Sequence, residues 1–281
     1  MIRPVSLILL LAAVVGSSCG SERIPAATGG DPAPSAAASA TTTTSPTSTI
    51  PTAALEPGAP STTLPPALRP ITDAEPLRLW AIGDSFLELF GPALVNRSLD
   101  TGVIDPMVDF RYVSGLSRPD FFDWPAHIAS ELPEVSPDAV VVMFGGNDAQ
   151  DVELGGERFD VGTEAWNDLY AARVAEAMDV LLAGVDRIYW IGLPIMRSDR
   201  FTANAIAMNN AYETAAAVRP GVTYFSCFEL FQDEDGEYSA YLDGKLMRFT
   251  DGAHFVWNGA YRLADAVLPL IADDWNFELE S

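Results

Sequence analysis

Ser85 is the residue around which chemistry can be built. The run Leu77-Arg78-Leu79-Trp80-Ala81-Ile82 is apolar and strand-like, ends in Gly83-Asp84-Ser85, and passes at Phe86 into a helix-like segment, Leu87 to Leu94. A serine where a parallel strand gives way to a helix sits where open α/β sheets place their ligands. The first N–H groups of that helix and its dipole favour a negative charge developing beside the hydroxyl. The same tripeptide also reads as a βα turn with Asp84 or Ser85 as N-cap. Company decides between the two.

A nucleophilic serine needs a base, and histidine is the usual one. The chain holds two histidines. His127 lies in a helix-like stretch without an obvious acidic orienter and reads as a surface or core residue. His254 lies in Asp251-Gly252-Ala253-His254, a polar loop before the last helix. A separation of three residues in a turn lets Asp251 accept from Nδ1–H and leaves Nε2 for a serine; an ordinary turn is the alternative. An acyl transfer also needs donors for an oxyanion. Gly145-Gly146-Asn147-Asp148 ends an apolar run, so the Asn147 amide arrives at the same sheet edge, where such a donor contributes about 100- to 1000-fold in rate. Gly115, also after a strand, can bring a backbone N–H close.

The elements that must position these residues follow from periodicity. Val103–Val113 is β-branched and aromatic, and Trp124–Leu132 reads as a helix. Asp138–Phe144 is a short continuous apolar run, the mark of a central strand buried on both faces. Thr163–Ala183 has helical spacing with Thr163 as N-cap. Arg187–Gly192 is a strand, Ala203–Val218 a helix, and Val222–Cys227 a strand in which Cys227 is a buried apolar residue. Glu237–Leu242 and Lys245–Phe249 predict a hairpin around Asp243-Gly244, and Ala260–Ala272 a closing helix. Strands alternate with helices about five times, which implies a parallel sheet covered on both faces.

Gly-Asp-Ser near the start, a glycine after the next strand, Gly-x-Asn-Asp, and Asp-x-x-His near the end together resemble the SGNH (GDSL-type) hydrolases, over Leu77 to Ala272. No Gly-x-Ser-x-Gly elbow of the ordinary α/β-hydrolases occurs. The resemblance implies a flavodoxin-like three-layer α/β/α sandwich with a parallel sheet of about five strands. It further implies Ser85 as nucleophile, His254 as base, Asp251 as its orienter, and an oxyanion hole made by Ser85 N–H, Gly115 N–H and Asn147 Nδ2. No metal or organic cofactor is implied. Flanking text, Arg118 to Pro125 and Ile191-Gly192-Leu193-Pro194, is similar to an exported bacterial branch related to envelope O-acetyl-handling proteins. The expected activity is a serine esterase on O-acyl esters, O-acetyl among them, of cell-envelope carbohydrate. An O-acetyltransferase with the same triad and a non-catalytic envelope-binding module are the alternatives. Asp84, Arg118, Trp124, Arg197 and Phe255 are the candidates for a substrate pocket. Asp151–Gly162 is long enough for a lid, and Asp233-Glu234-Asp235-Gly236-Glu237 lacks the full ligand pattern of a calcium loop.

The first 70 residues read differently. Met1-Ile2-Arg3-Pro4 and the apolar run Val5–Val15 form a secretory signal, too short to span a bilayer, which needs about 20 residues. Residues 1–18 are therefore read as signal peptide. Cys19, directly after Gly16-Ser17-Ser18, resembles the lipobox cysteine of bacterial lipoproteins, with free secretion as the alternative. Residues 19–70 then comprise the lipidation site and an Ala/Thr/Ser/Pro-rich stalk, and 71–281 a single domain. The 47 stalk residues from Ile24 reach about 145 Å if polyproline-like and about 40 Å as a coil. The first 70 residues carry three basic and three acidic side chains; of 16 and 39 in the chain, 13 and 36 remain, so the domain carries the whole −23. Such a surface excludes nucleic acid and favours neutral or cationic substrates, a small-molecule or saccharide ester among them.

Overall fold

The computed structural model describes residues 67–279. The signal peptide, Cys19 and nearly all of the stalk lie outside the described residues. The elements run β1 (Leu77–Gly83), α1 (Leu87–Asp100), β2 (Ile104–Phe110), α2 (Trp124–Val135), β3 (Ala139–Met143), then the small strands β4 (Val152–Leu154) and β5 (Glu157–Phe159). They continue with α3 (Glu164–Leu182), β6 (Arg187–Ile191), α4 (Asp199–Ala217), β7 (Val222–Phe225), the two-residue strands β8 (Tyr241–Leu242) and β9 (Lys245–Leu246), and α5 (Trp257–Trp275).

Five strands form one parallel sheet in the order β2-β1-β3-β6-β7. This is the doubly wound arrangement, whose strand order reverses between β1 and β3 and opens a crevice there at the carboxyl ends. β3 lies at the centre with all five residues buried, which is why its sequence is continuously apolar instead of alternating. α1 packs on α5, while α3 packs on α2 and α4. Right-handed crossovers require those two groups to cover opposite faces. The expected three-layer sandwich is the observed one.

Local chemistry sets most of the ends. Thr163 caps α3 by accepting from the Trp166 amide at 3.2 Å, and Asp123 caps α2 through Ala126 N–H at 3.1 Å with Pro125 just inside. β2 stops at Phe110, short of the expected Val113, because Val113 turns into the left-handed region at φ 62°. α4 begins four residues earlier than its apolar spacing indicates; its first turn, Asp199 to Thr202, is held when Thr202 Oγ1 donates to Met196 O at 2.8 Å. The hairpin around Asp243-Gly244 forms with both residues at positive φ. It shrinks to two-residue strands because beyond the Met247 N–H to Ala240 O bond the chain pairs with the His254 loop, Phe249 N–H donating to His254 O and Val256 N–H to Met247 O. The Asp151–Gly162 segment is itself the β4–β5 hairpin, cross-tied when Arg158 pairs with Asp151 and Asp160.

Two constraints fix the sheet edge that matters. At the N-terminal end of β3, Asp138 accepts from Arg69, from the Arg78 guanidinium and from the Arg78 amide at 2.9 Å. At the opposite end Gly83 lies beside Met143, and a Cβ there would stand 2.0 Å from the Met143 carbonyl oxygen. β1 can approach β3 this closely only with glycine at that point. Gly83→Ala is therefore expected to lower stability by about 2 kcal/mol, read as a lower urea midpoint at unchanged m-value, with loss of any activity that depends on Ser85 two residues on.

Candidate active site

Each strand end delivers one part of the site. Ser85 follows β1, Ser114-Gly115 follows β2, Gly145-Gly146-Asn147-Asp148 follows β3, and His254 comes from the loop before α5. Ser85 Oγ lies 2.8 Å from His254 Nε2. On the far side of the ring, His254 Nδ1 lies 2.7 Å from Asp251 Oδ2. A carboxylate at Nδ1 holds the proton on that nitrogen and leaves Nε2 to accept from the serine hydroxyl. Asp251 Oδ1 accepts from the amides of Ala253 at 2.8 Å and His254 at 3.1 Å. Partial burial disfavours its charge, but those amides and the imidazole outweigh it and hold the carboxyl below its ordinary range.

The loop carrying Asp251 and His254 is clamped from behind. Arg197 accepts no role in the cavity: its guanidinium donates to Thr250 O at 2.7 Å, and its amide donates to Gly252 O at 3.1 Å. Arg248 is wholly buried, donates to Ala253 O and, at 2.9 Å, to Ile195 O, and rests against the contacting rings of Phe231 and Phe255. Burial lowers its pKa to about 10.

The loops after β2 and β3 are equally braced. Asn147 Nδ2 donates to Ser114 O at 3.0 Å, which joins the loops after β2 and β3 and uses one of the two amide protons. The Ser85 and Gly115 amides donate to no group among the described residues. Trp124 Nε1 donates to Ser114 Oγ at 3.0 Å. Gly115 is pressed against Asp148, so that a Cβ would meet Asp148 Oδ1 at 2.2 Å. Asp148, unexposed, accepts from Ser117 N–H at 2.7 Å and Tyr170 O–H at 2.9 Å. Tyr170 and Tyr212 hydroxyls are 2.7 Å apart, and Tyr212 donates to Phe144 O at 3.1 Å. Burial pushes the Asp148 carboxyl and both phenols upward.

Asp84, also unexposed, accepts from Phe86 N–H at 2.9 Å, Gly145 N–H at 2.9 Å and Gly146 N–H at 2.7 Å. It is a strut and not a pocket wall. A cavity of about 240 Å³ does open beside His254, bordered by Phe86, Asn147, Met196, Asn204 and Met208. None of the five expected pocket residues borders it. Asp84, Trp124 and Phe255 are buried beneath the loops, Arg197 clamps the His254 loop, and Arg118 is held by both oxygens of Asp120 at 2.7 Å. Wider depressions around Arg69–Asp274 and Arg97–Asp265 contain no nucleophile.

His127 proves to have the acidic partner its neighbours did not suggest: Asp109, from β2, stands 2.5 Å from Nε2, while Phe122 and Trp124 pack on the ring. Cys227 is buried and its Sγ–H donates to Gly192 O at 2.9 Å. In the acidic turn, Asp233 Oδ1 accepts from the amides of Asp235 and Glu237. Among the described residues no three acidic, histidine or cysteine side chains converge as metal ligands.

A family profile described as a protein of unknown function, DUF459, matches residues 78–270. The chain belongs to the DUF459 family. No curated protein matches the chain. LAE5, an alpha/beta hydrolase enzyme from a Lake Arreo metagenome, is similar at 15% identity and TM-score 0.51 over 72% of this chain and 96% of its own. A catalytic mutant of Axe2, an acetylxylan esterase from Geobacillus stearothermophilus, is similar at 15% identity and TM-score 0.50 over 72% and 95%. These likenesses show a shared fold, that of the SGNH hydrolases.

The struts have a thermodynamic signature. Burial, with the neighbouring Asp148 charge, raises Asp84 from 3.8 to about 7 against the pull of its three amide donors. Between those values the folded chain binds a proton that the unfolded chain has released, so stability falls as pH rises through the window and levels off above about 7. Asp84→Asn should flatten that decline by about one proton. Urea midpoints of both proteins at pH 5, 6, 7 and 8 measure this; parallel slopes would refute the assignment.

Proposed function

We propose that this DUF459 protein is a serine esterase that acts outside the cell on O-acyl esters, O-acetyl among them, of cell-envelope carbohydrate. The carrying observation is the continuous relay Ser85 Oγ to His254 Nε2, 2.8 Å, and His254 Nδ1 to Asp251, 2.7 Å. Ser85 Oγ attacks the ester carbonyl carbon as its proton passes to His254 Nε2. The oxyanion forms beside the Ser85 and Gly115 amides and the remaining proton of Asn147 Nδ2. Collapse expels the alcohol, which takes the proton from His254 and leaves acyl-Ser85. Water, deprotonated by the same imidazole, then releases the acid and restores the serine.

Export rests on the N-terminal leader and on Cys19 as a lipid attachment point, with the stalk as tether. Two considerations support an uncharged saccharide ester as substrate. The domain's negative charge repels polyanions, and an acetylxylan esterase shares the fold.

Ser85→Ala should reduce hydrolysis of p-nitrophenyl esters by at least about 1000-fold without changing the thermal midpoint by more than a few degrees. A fluorophosphonate should give an adduct mapped by mass spectrometry to Ser85 in the wild type and none in His254→Ala. Turnover surviving in Ser85→Ala would end the mechanism. So would a folded wild type that takes up no label.

A further inference from the structure

The turn between β2 and Gly115 holds one residue in a conformation that its side chain opposes. Val113 has φ 62°. Branching at Cβ makes this left-handed region costly for valine. The side chain is 67% exposed, so packing does not compensate. A backbone outlier of this kind persists only where its surroundings over-determine it, and such outliers gather at functional sites. Arg111 and Ser114, on either side, supply the constraint. Arg111 N–H donates to Gly83 O at 3.1 Å, which hangs one arm of the turn on the end of β1. On the other arm the Ser114 hydroxyl is buried and bonded in both directions. It donates to Arg111 O at 2.8 Å and accepts from Trp124 Nε1 at 3.0 Å. A hydroxyl carries a single proton. With the indole N–H on its lone pair, that proton is directed to Arg111 O, and the two bonds in series close the turn across Tyr112 and Val113.

The backbone of the same serine meets Asn147. Ser114 O accepts from Asn147 Nδ2 at 3.0 Å. Only the nitrogen side of a carboxamide can donate to a carbonyl, so Ser114 O fixes which end of Asn147 faces it and where the second Nδ2 proton points. A shift of Ser114 therefore turns that proton away. The Trp124 ring packs edge-on against Phe144, 4.9 Å between centroids, a contact that phenylalanine would also make. What phenylalanine lacks is the indole N–H.

We infer that, given the esterase reading above, Trp124 is a positioning residue for the oxyanion hole. Its indole N–H locks Ser114, keeps the turn at Val113 in its strained form, and thereby aims the free Nδ2 proton of Asn147 at the oxyanion.

The test is kcat and KM for p-nitrophenyl acetate in the wild type, Trp124→Phe, Asn147→Ala, and Trp124→Phe combined in turn with Asn147→Ala and with Val113→Gly. Trp124→Phe should lower kcat by about 10- to 100-fold and leave KM within about twofold, the mark of a contact that matters only in the transition state. Asn147→Ala should lower kcat by about 100- to 1000-fold. Adding Trp124→Phe to it should then change kcat by less than about threefold, because the group that Trp124 aims is gone. Val113→Gly in the Trp124→Phe background should recover at least about fivefold in kcat, since glycine holds a left-handed φ without a brace. A tryptophan that served packing alone would cost the same in both Asn147 backgrounds and gain nothing from glycine at 113. Circular dichroism checks folding. If Trp124→Phe does not fold, Ser114→Ala, which cuts the same link with the indole in place, replaces it in every combination with the same expectations. A kcat within about threefold of wild type, losses that add to those of Asn147→Ala, or no recovery with Val113→Gly would each overturn the inference while leaving the esterase intact. No turnover by the wild type and no fluorophosphonate adduct at Ser85 would overturn the esterase reading itself.

Discussion

The arrangement depends on a carboxylate that never reaches solvent. Asp84 sits at the turn where β1 ends and gathers three amides, Phe86 from its own turn and Gly145 and Gly146 from the loop after β3. Hydrogen bonds to a buried charge are stronger than those at a surface, because water does not compete and the local dielectric is low. The Ser85 turn and the Asn147 loop are thereby one rigid object. Asp148 repeats the device one strand over, joining the Asn147 loop to Ser117 and to the Tyr170–Tyr212 pair. The Asp148 charge, with burial, disfavours that of Asp84, so its three amide donors hold it against both.

Much of this was legible because the informative residues stand at strand ends. β3 announces itself by being apolar on both faces, and Ser85, Gly115, Asn147 and His254 each follow an element whose periodicity is strong. Adjacency in sequence was a poorer guide to the cavity. Trp124 and Phe255 neighbour the motif residues yet turn inward to brace them, while the walls come from Met196, Asn204 and Met208, which belong to the segment after β6. A helix shows one face to the core and another to the cavity, and the residue pattern does not separate the two. Asp109 and His127 met for the same reason: a strand and a helix packed together bring pairs that no local spacing records.

The acidic surface and the mostly apolar cavity act over different ranges. Arg97, Arg118, Arg158, Arg219 and Arg262 each pair with an aspartate. Such exposed pairs add little stability, but they occupy guanidinium groups that would otherwise attract anions. Long-range repulsion then acts on approaching polyanions, and short-range packing on whatever reaches Ser85.

Asp251 and His254 share one short turn, whereas Ser85 lies 169 residues earlier in the chain. They can meet as soon as their own loop forms, but Ser85 meets the imidazole only when α5 docks on α1 and the two ends of the domain close. Long loop closures come late in folding. During synthesis the serine emerges first and stays inert until nearly the entire domain has followed. On the esterase reading proposed above, reactivity is thus a signal of completed topology, and a chain stopped short of α5 is silent however much of its sheet has assembled.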